Sequence, residues 1–504
     1  MSTQFEKLLN KVKELHDLEK ILAVLNWDRS VNMPDAGSPA RAKQVATLSR
    51  MHHALYTSAE MGDLIEEVAG RTNGVPYDSF EASLVRFLQR DYADATQIPE
   101  SFITRSTEIS AGANLAWRKA REESNYSLFE PWLAQVIELC QELAGYYSQN
   151  RDFAVPYDAL MDKYEPEAKA SEVRAVFDSV KAATVPLLQA IKGRGSEVRD
   201  DFLYREYPID KQEKIARELA SAVGYDFDRG HLGTAPHPFA TSFTRDDARI
   251  TTRWYEGFIN PSIFGVLHES GHAMYEQGTG EDLSRTPLAR GTSLGIHESQ
   301  SRMMENIVGR CRGFWNAHFP LLQESFPGAL GEVNVEQFYR AINKVQPSYI
   351  RVEADELTYN LHIILRFELE QEMLNGELSA KDLPAAWNAR MESLLGVTPP
   401  DDAQGCLQDI HWSRPSFGYF PTYALGNLYA AQLFEAATAQ HPEINSELNE
   451  GKNTTLVEWL RENIHRHGRK FTPSELVEMA TGKRLSHEPF VRYVTNKFTE
   501  IYGL

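Results

Sequence analysis

The stretch Pro261–Gln277 carries His268-Glu269-Ser270-Gly271-His272 inside a run whose apolar residues Ile263, Phe264, Val266, Leu267, Met274 and Tyr275 call for burial. That combination narrows what the chain can fold into. With Asn260 available as a cap, Pro261 suited to a first helical position and Gly278 to an end, the stretch reads as one largely buried helix. On a helix, residues four apart lie about 6 Å apart along the axis and only about 40° apart around it. His268 and His272 therefore point the same way and can share one metal ion, each about 2.0–2.1 Å from it if the ion is zinc. Glu269 stands one residue on, close enough to reach a water on that ion. The spacing H-E-x-x-H thus supplies two ligands and a general base from a single helical turn, the arrangement of metal-assisted peptide hydrolysis. The competing reading is two core histidines, each bonded to a neighbour. It leaves two imidazoles and a carboxylate buried without a shared partner, at a cost of several kcal/mol by rough estimate.

Charge and composition exclude other classes. The 504 residues carry a net charge of −19, which argues against a nucleic-acid partner, since phosphate needs basic surface. No uninterrupted apolar run approaches the roughly 18 residues needed to span a membrane. Met1–Asn10 is charged and lacks the apolar core of a signal peptide. The three cysteines, Cys140, Cys311 and Cys406, are odd in number and widely spaced. They suggest a reducing compartment with neither a disulfide framework nor a cysteine metal site. A cytoplasmic protein is expected.

Helical periodicity runs through most of the chain. Phe5, Leu8, Leu9, Val12, Leu15, Leu18, Ile21, Leu22 and Leu25 mark a long first helix, broken at Asn32–Gly37. Four or five helices are expected from Pro39 to about Asn150, with breaks near Arg71–Gly74, Gln97–Pro99 and Asn125, and with Pro131 near a helix start. Phe153–Lys169 reads as a loop, and Ser171 as the cap of a helix reaching about Lys192. His231–Tyr255 differs: β-branched and aromatic residues flank the acidic turn Asp246-Asp247, which predicts a hairpin, with β structure only near Ala240–Trp254. In it, Asp247, Arg249 and Thr251 suit a network that fixes the turn. A loop over Thr279–Thr292 follows the H-E-x-x-H helix, and Ser293 can cap a helix carrying Glu298. Further helices are expected near Val335–Val345, Glu353–Leu374, Lys381–Leu395, Tyr423–Gln440, Thr455–His467, Ser474–Thr481 and Pro489–Glu500. The basic run His465–Lys470 reads as a solvated helix end closed by Gly468. With no repeat and no evident linker, residues 1–504 read as a single catalytic domain, mostly α with a small β hairpin near the site.

A catalytic zinc site ordinarily has three protein ligands and one open position. A second helix crossing behind the first is the economical source of the third, which leaves His297, Glu298 and Glu305 as alternatives that spacing does not separate.

Several further segments form an ordered set. They are Trp27-Asp28, Met33-Pro34, Tyr157–Leu160, Tyr164-Glu165-Pro166, His237-Pro238-Phe239, Asp247–Thr251, His297-Glu298-Ser299-Gln300, Ile350–Asp355, Gly405–Trp412 and Gly418–Tyr423. With His268–His272 they make the chain, nearly end to end, resemble the thermostable metallocarboxypeptidase family typified by carboxypeptidase Taq. The resemblance implies Glu298 as third ligand. It also implies a mostly helical fold with a deep groove, similar to neurolysin and angiotensin-converting enzyme, and a homodimer. Many two-His-one-Glu zinc peptidases place an acid four residues after the ligand glutamate. Here that residue is Arg302, so the partners of the two histidines stay open.

The expected reaction is zinc-dependent removal of C-terminal residues from peptides, with one divalent cation per chain, cobalt or manganese being alternatives to zinc. His411 and Tyr423, both in matching segments, are candidates to stabilise the oxyanion, and His237 to wall the cleft. Arg351 is the candidate receptor of the substrate's free C-terminal carboxylate, since a guanidinium fork matches a carboxylate. Its alternative is an internal ion pair with Glu353, Asp355 or Glu356. Two rival classes are an endo-acting oligopeptidase with the same chemistry and a non-catalytic helical interaction protein.

Overall fold

The computed structural model describes residues 3–72, 74–194 and 197–504. Asn73, inside the break expected at Arg71–Gly74, lies outside the described residues, as do Met1 and Ser2. Helices dominate, and the strands form one three-stranded sheet. The chain divides into two compact units, each assembled from three separate stretches. One comprises Met1–Ala95, Arg199–Ile342 and Ala430–Arg484, the other Thr96–Val198, Asn343–Tyr429 and Leu485–Leu504.

In the first unit, the long helix Thr3–Val31 buries Phe5, Leu8, Val12 and Leu15 at the expected helical spacing. These pack into one core with Met61, Ile65 and Val68 of helix Ala59–Ala69 and with Leu84, Val85 and Leu88 of the next helix. Each such fully buried aliphatic side chain contributes about 1.5–3 kcal/mol by removal from water. The predicted hairpin forms as β2 (Ala240–Thr244) and β3 (Asp247–Thr252), antiparallel with a register shift at Ser242/Thr244. An unpredicted strand, β1 (Leu232–Thr234), pairs parallel to β3. Its three residues are too few for alternation to register. The expected turn network is present: Arg249 donates to both carboxylate oxygens of Asp247 at 2.7 and 2.8 Å, and Thr251 Oγ1 accepts from Phe239 N at 2.9 Å.

β3 packs against the helix Asn260–Gly278, which carries the H-E-x-x-H residues. Asn260 does not cap it. The N-cap position falls on Ile259, and Asn260 Oδ1 is buried without a partner. The helix Leu294–Arg302 crosses behind, capped as expected by Ser293, whose Oγ accepts from Ile296 N at 3.0 Å. It passes without interruption into a π-helical turn, Met303–Val308. The two helices meet backbone to backbone at Gly271: a Cβ built there would stand 2.3 Å from Gln300 O and 2.6 Å from Ser301 Cα. The basic run His465–Lys470 turns inward instead of ending in solvent. His465 is 1% exposed and its Nε2 lies 2.8 Å from Gln300 Oε1, while Arg469 Nε donates to Gly291 O.

In the second unit, the helix Glu356–Leu374 is buried on every side from Leu357 to Gln371, the mark of a central helix. It packs against Ala170–Ile191, Leu383–Leu395 and Glu130–Tyr147, the last with Pro131 in its first turn as expected. The loop expected at Phe153–Lys169 contains a short helix, Pro156–Met161, and Lys169, not Ser171, occupies the N-cap of the helix that follows.

Gly271→Ala forces a methyl group into the Gln300 carbonyl. Overpacking ordinarily costs about 1–3 kcal/mol, and a backbone obstacle cannot rotate away. Urea denaturation is expected to show a loss near the top of that range. Gly145→Ala, on a helix where the added Cβ meets open space, serves as control and should be neutral or stabilising. Equal stabilities for the parent and Gly271→Ala would refute the close approach.

Candidate metal centre

The crossing at Gly271 sets Glu298 opposite the paired histidines. Glu298 Oε2 lies 3.3 Å from His272 Nε2 and 3.7 Å from His268 Nε2. One donor atom from each of His268, His272 and Glu298 lies within 4.8 Å of the others. Three donors at such separations fit a single ion about 2.0–2.2 Å from each. The other carboxylate oxygen of Glu298 accepts from Arg302 Nε at 2.7 Å, while Oε2, which accepts from Ser301 Oγ at 3.0 Å, is the one turned toward the histidines.

The histidines are held from behind, by different partners. His268 Nδ1 lies 2.9 Å from Glu305 Oε2. Glu305 is seven residues beyond Glu298, two turns along the same face. It is flanked by Arg302 Nη1 at 3.2 Å and Arg310 Nη2 at 3.7 Å. His272 Nδ1 lies 2.6 Å from His297 Nδ1 and 3.1 Å from His297 O, and His297 Nε2 lies 2.9 Å from Glu276 Oε1. The alternatives for third ligand thus take distinct places. Glu298 faces the histidines' Nε2 atoms, while Glu305 and His297 face their Nδ1 atoms.

Electrostatics follow from this packing. Burial opposes charge on His268, yet Glu298, Glu305 and Glu269 together push its pKa up to about 9. Burial takes His272 down to about 4. Burial, reinforced by Glu298 and Glu305, lifts the Glu269 carboxyl to about 7 against His268. Burial would also raise Glu276, but the His297 hydrogen bond, with Lys20 and Arg290 nearby, holds it at about 2. Among the described residues no hydrogen bond engages the Glu269 carboxylate, which leaves it open to solvent-borne partners; the residue is 6% exposed. His237 is exposed on the connection between β1 and β2, and among the described residues no hydrogen bond or ion pair joins it to this cluster.

The remaining candidates gather in the second unit. Arg351 is buried, and its ion pair is with Asp409, which accepts from Nη2 at 2.7 Å and Nε at 3.2 Å; Nη1 donates to Tyr359 OH at 3.2 Å. None of the expected acids takes that place. Asp355 caps the helix Glu356–Leu374, and Glu356 pairs with Lys497. Asp409 also accepts from Arg366 Nε at 2.7 Å. Against the cost of burial, Arg366 and Arg351 hold Asp409 well below the usual carboxylate range. The Arg351 guanidinium sits 5.0 Å from the Tyr423 ring centroid, and the His411 and Tyr423 rings are 6.5 Å apart. Burial lowers His411 to about 4 and raises Tyr423 well above 10, so at neutral pH both are uncharged and able to donate a hydrogen bond. Glu276, Asp409 and Arg366 are site-building residues to which the sequence assigned no role, and Glu305, an alternative for the third ligand, instead backs His268. Arg366, the one Lys or Arg in the Glu356–Leu374 helix, was the one with a visible signal.

Comparison with known proteins agrees with this chemistry. The sequence model of the carboxypeptidase Taq (M32) metallopeptidase family matches residues 7–498. Thermostable carboxypeptidase 1 of Thermus thermophilus is 41% identical over 510 residues, spanning 99% of this chain and 99% of that protein. Carboxypeptidase 1 of Bacillus subtilis is 37% identical over 502 residues, covering 100% and 99% of the two chains. The crystal structure of the M32 carboxypeptidase from Deinococcus radiodurans R1 superposes with a TM-score of 0.96 at 39% identity, over the whole of both chains.

Glu298→Ala removes the carboxylate oxygen that faces both imidazoles. After dialysis, elemental analysis is expected to find about one divalent ion per parent chain and a small fraction of that in the variant. Full occupancy in Glu298→Ala would move the third ligand elsewhere, with Glu305 first in line.

Proposed function

The chain belongs to the carboxypeptidase Taq (M32) family of metallopeptidases, and on that premise we propose that it is a zinc carboxypeptidase releasing single residues from the free C-terminus of peptides. The observation that carries the reading is the convergence of His268 Nε2, His272 Nε2 and Glu298 Oε2, with the uncommitted carboxylate of Glu269 on the same turn of helix. Two imidazoles and one carboxylate are a donor set of catalytic zinc sites, which supports zinc over other divalent ions. The family match spans both compact units, which supports one catalytic domain over residues 1–504. The free cysteines support a reducing, cytoplasmic setting, and the family resemblance supports a homodimer. Among the described residues no helix is long and apolar enough to cross a membrane.

When bound, the ion would lower the pKa of water and polarise the scissile carbonyl. Glu269 takes the proton of the attacking water and passes it to the departing amine. Burial suits it to both halves of that task, because a carboxyl with a raised pKa releases its proton again near neutral pH. His411 and Tyr423, kept uncharged by burial, donate hydrogen bonds to the oxyanion. Arg351 receives the terminal carboxylate. Its fork is shared with Asp409, but the group Arg351–Asp409–Arg366 carries one positive charge in excess, and that charge favours an anion.

Glu269→Gln keeps shape and loses basicity. Metal content is expected to stay at the parent level while kcat falls by about a thousandfold, within the range for lost acid–base catalysis. Activity within tenfold of the parent would remove Glu269 from the mechanism. Direction of cleavage is tested separately, with the parent and Arg351→Ala each assayed on free-acid and C-terminally amidated peptides. Truncating one partner of a buried charge pair costs about 2–5 kcal/mol. That loss in kcat/KM is expected on the free acid and much less on the amide, with the parent itself preferring the acid. Equal losses on both substrates would make Arg351 structural and favour an endo-acting oligopeptidase.

A further inference from the structure

The two histidines of the metal centre are supported unequally. His268 meets a carboxylate directly, whereas His272 meets a second imidazole backed by a carboxylate. The hydrogen positions along that second line follow from the acceptors. A backbone carbonyl can only accept, so His297 O, 3.1 Å from His272 Nδ1, requires that nitrogen to carry the hydrogen. His297 Nδ1 lies 2.6 Å from the same N–H and must therefore present its lone pair. A neutral imidazole with a bare Nδ1 carries its hydrogen on Nε2, and His297 Nε2 faces Glu276 Oε1 at 2.9 Å. Each link fixes the next, and the last free atom is His272 Nε2, whose lone pair then points at the position shared with Glu298 Oε2. The ring of His297 is held in plane by Tyr275, 5.4 Å away and inclined by 32°, and Tyr275 is backed by buried His465 on its other contact.

From this geometry we infer that Glu276 and His297 are positioning residues that hold His272 in its metal-binding tautomer, and so set the affinity and exchange rate of the ion. The inference rests on the reading of His272 as a ligand. Glu276 reaches His272 through its hydrogen bond to His297: its carboxylate forces the hydrogen onto Nε2. Were that carboxylate replaced by an amide turned to donate, the hydrogen would move to His297 Nδ1, directly against the N–H of His272. One of the two nitrogens would have to give way, and His272 Nε2 would either lose its lone pair or swing from its place. Outer partners of ligating histidines typically change metal affinity by 10–100-fold.

The test measures zinc affinity of the purified full-length chain by competition with a chromophoric chelator, alongside the melting temperature of the metal-free protein. His272→Ala is included to establish the ligand itself; if it binds zinc as the parent does, the metal reading fails before the inference is reached. With that control in place, Glu276→Gln and His297→Phe are each expected to bind zinc 10–100-fold more weakly and to release it faster, with the melting temperature of the metal-free form unchanged. His297→Asn, whose side-chain oxygen can accept from His272 but which has no second nitrogen to be steered, should recover much of the affinity lost in His297→Phe. In the His297→Asn background, Glu276→Gln should have no further effect. Affinities of Glu276→Gln and His297→Phe within twofold of the parent would overturn the inference. So would equal weakening in His297→Phe and His297→Asn, which would mean that His297 only fills space.

Discussion

Three carboxylates crowd two imidazoles, Glu269 and Glu298 buried and Glu305 half-buried, and that arrangement holds because the half-buried guanidiniums of Arg302 and Arg310 stand among them. Charges this close in a protein interior repel by several kcal/mol unless compensated. Arg302 bonds to Glu298 and Glu305 together, so it both neutralises Glu298 and fixes which of its oxygens turns toward the histidines. An acid at position 302 would add a fourth negative charge to the cluster. With an arginine there, the support of His268 passes one turn further along, to Glu305 on the π-helical turn. Such turns often occur at functional sites.

The second unit solves a related problem with the opposite sign. Two guanidiniums share one carboxylate, Asp409, and the remaining bonds of Arg366 go to His362 O and Gln408 Oε1. Gln408 in turn accepts from Arg351 N, so residues adjacent in sequence, Gln408 and Asp409, hold both arginines. The excess positive charge is thus built into a rigid frame, so receiving an anion there, as proposed, would order few further groups.

Much of this was legible in the sequence. Helical periodicity located the long first helix, the metal helix and the central helix of the second unit, because each carries its apolar positions over many turns. The hairpin was legible through β-branched residues on either side of an acidic turn. The misses share a physical cause. Ser171 and Asn260 have the chemistry of caps, but position within the fold, not residue type, decides where a helix starts. His465 belongs to a basic run, and its burial depends on Gln300, a contact 165 residues away that no local pattern encodes. Asp409 lies 58 residues from Arg351, so a reading that looked for acids nearby in sequence found Glu353, Asp355 and Glu356 instead. The three ligands could be narrowed by helical geometry to a short set. Choosing Glu298 from that set took the family resemblance, because Glu298 and Glu305 sit on the same face, and only the folded structure shows that Glu298 meets both histidines at Nε2 while Glu305 meets His268 at Nδ1.

Gly271 ties these points together. The contact it permits is what brings Glu298 within reach of both imidazoles, and it is also a packing contact between two buried helices. A helix would be more stable with alanine at that position by close to 1 kcal/mol from propensity alone. The glycine gives up that gain, and the two backbones approach as no side chain would allow. The separation of Gln300 O from a Cβ at 271 would be 2.3 Å, so any larger residue must push the Leu294–Arg302 helix outward. Displacement of that helix by an ångström moves Glu298 and His297 together, and with them both the proposed third donor and the support of His272. Stability and metal geometry therefore cannot be adjusted independently at this crossing, and the room to vary the site lies in the outer residues that hold the histidines from behind.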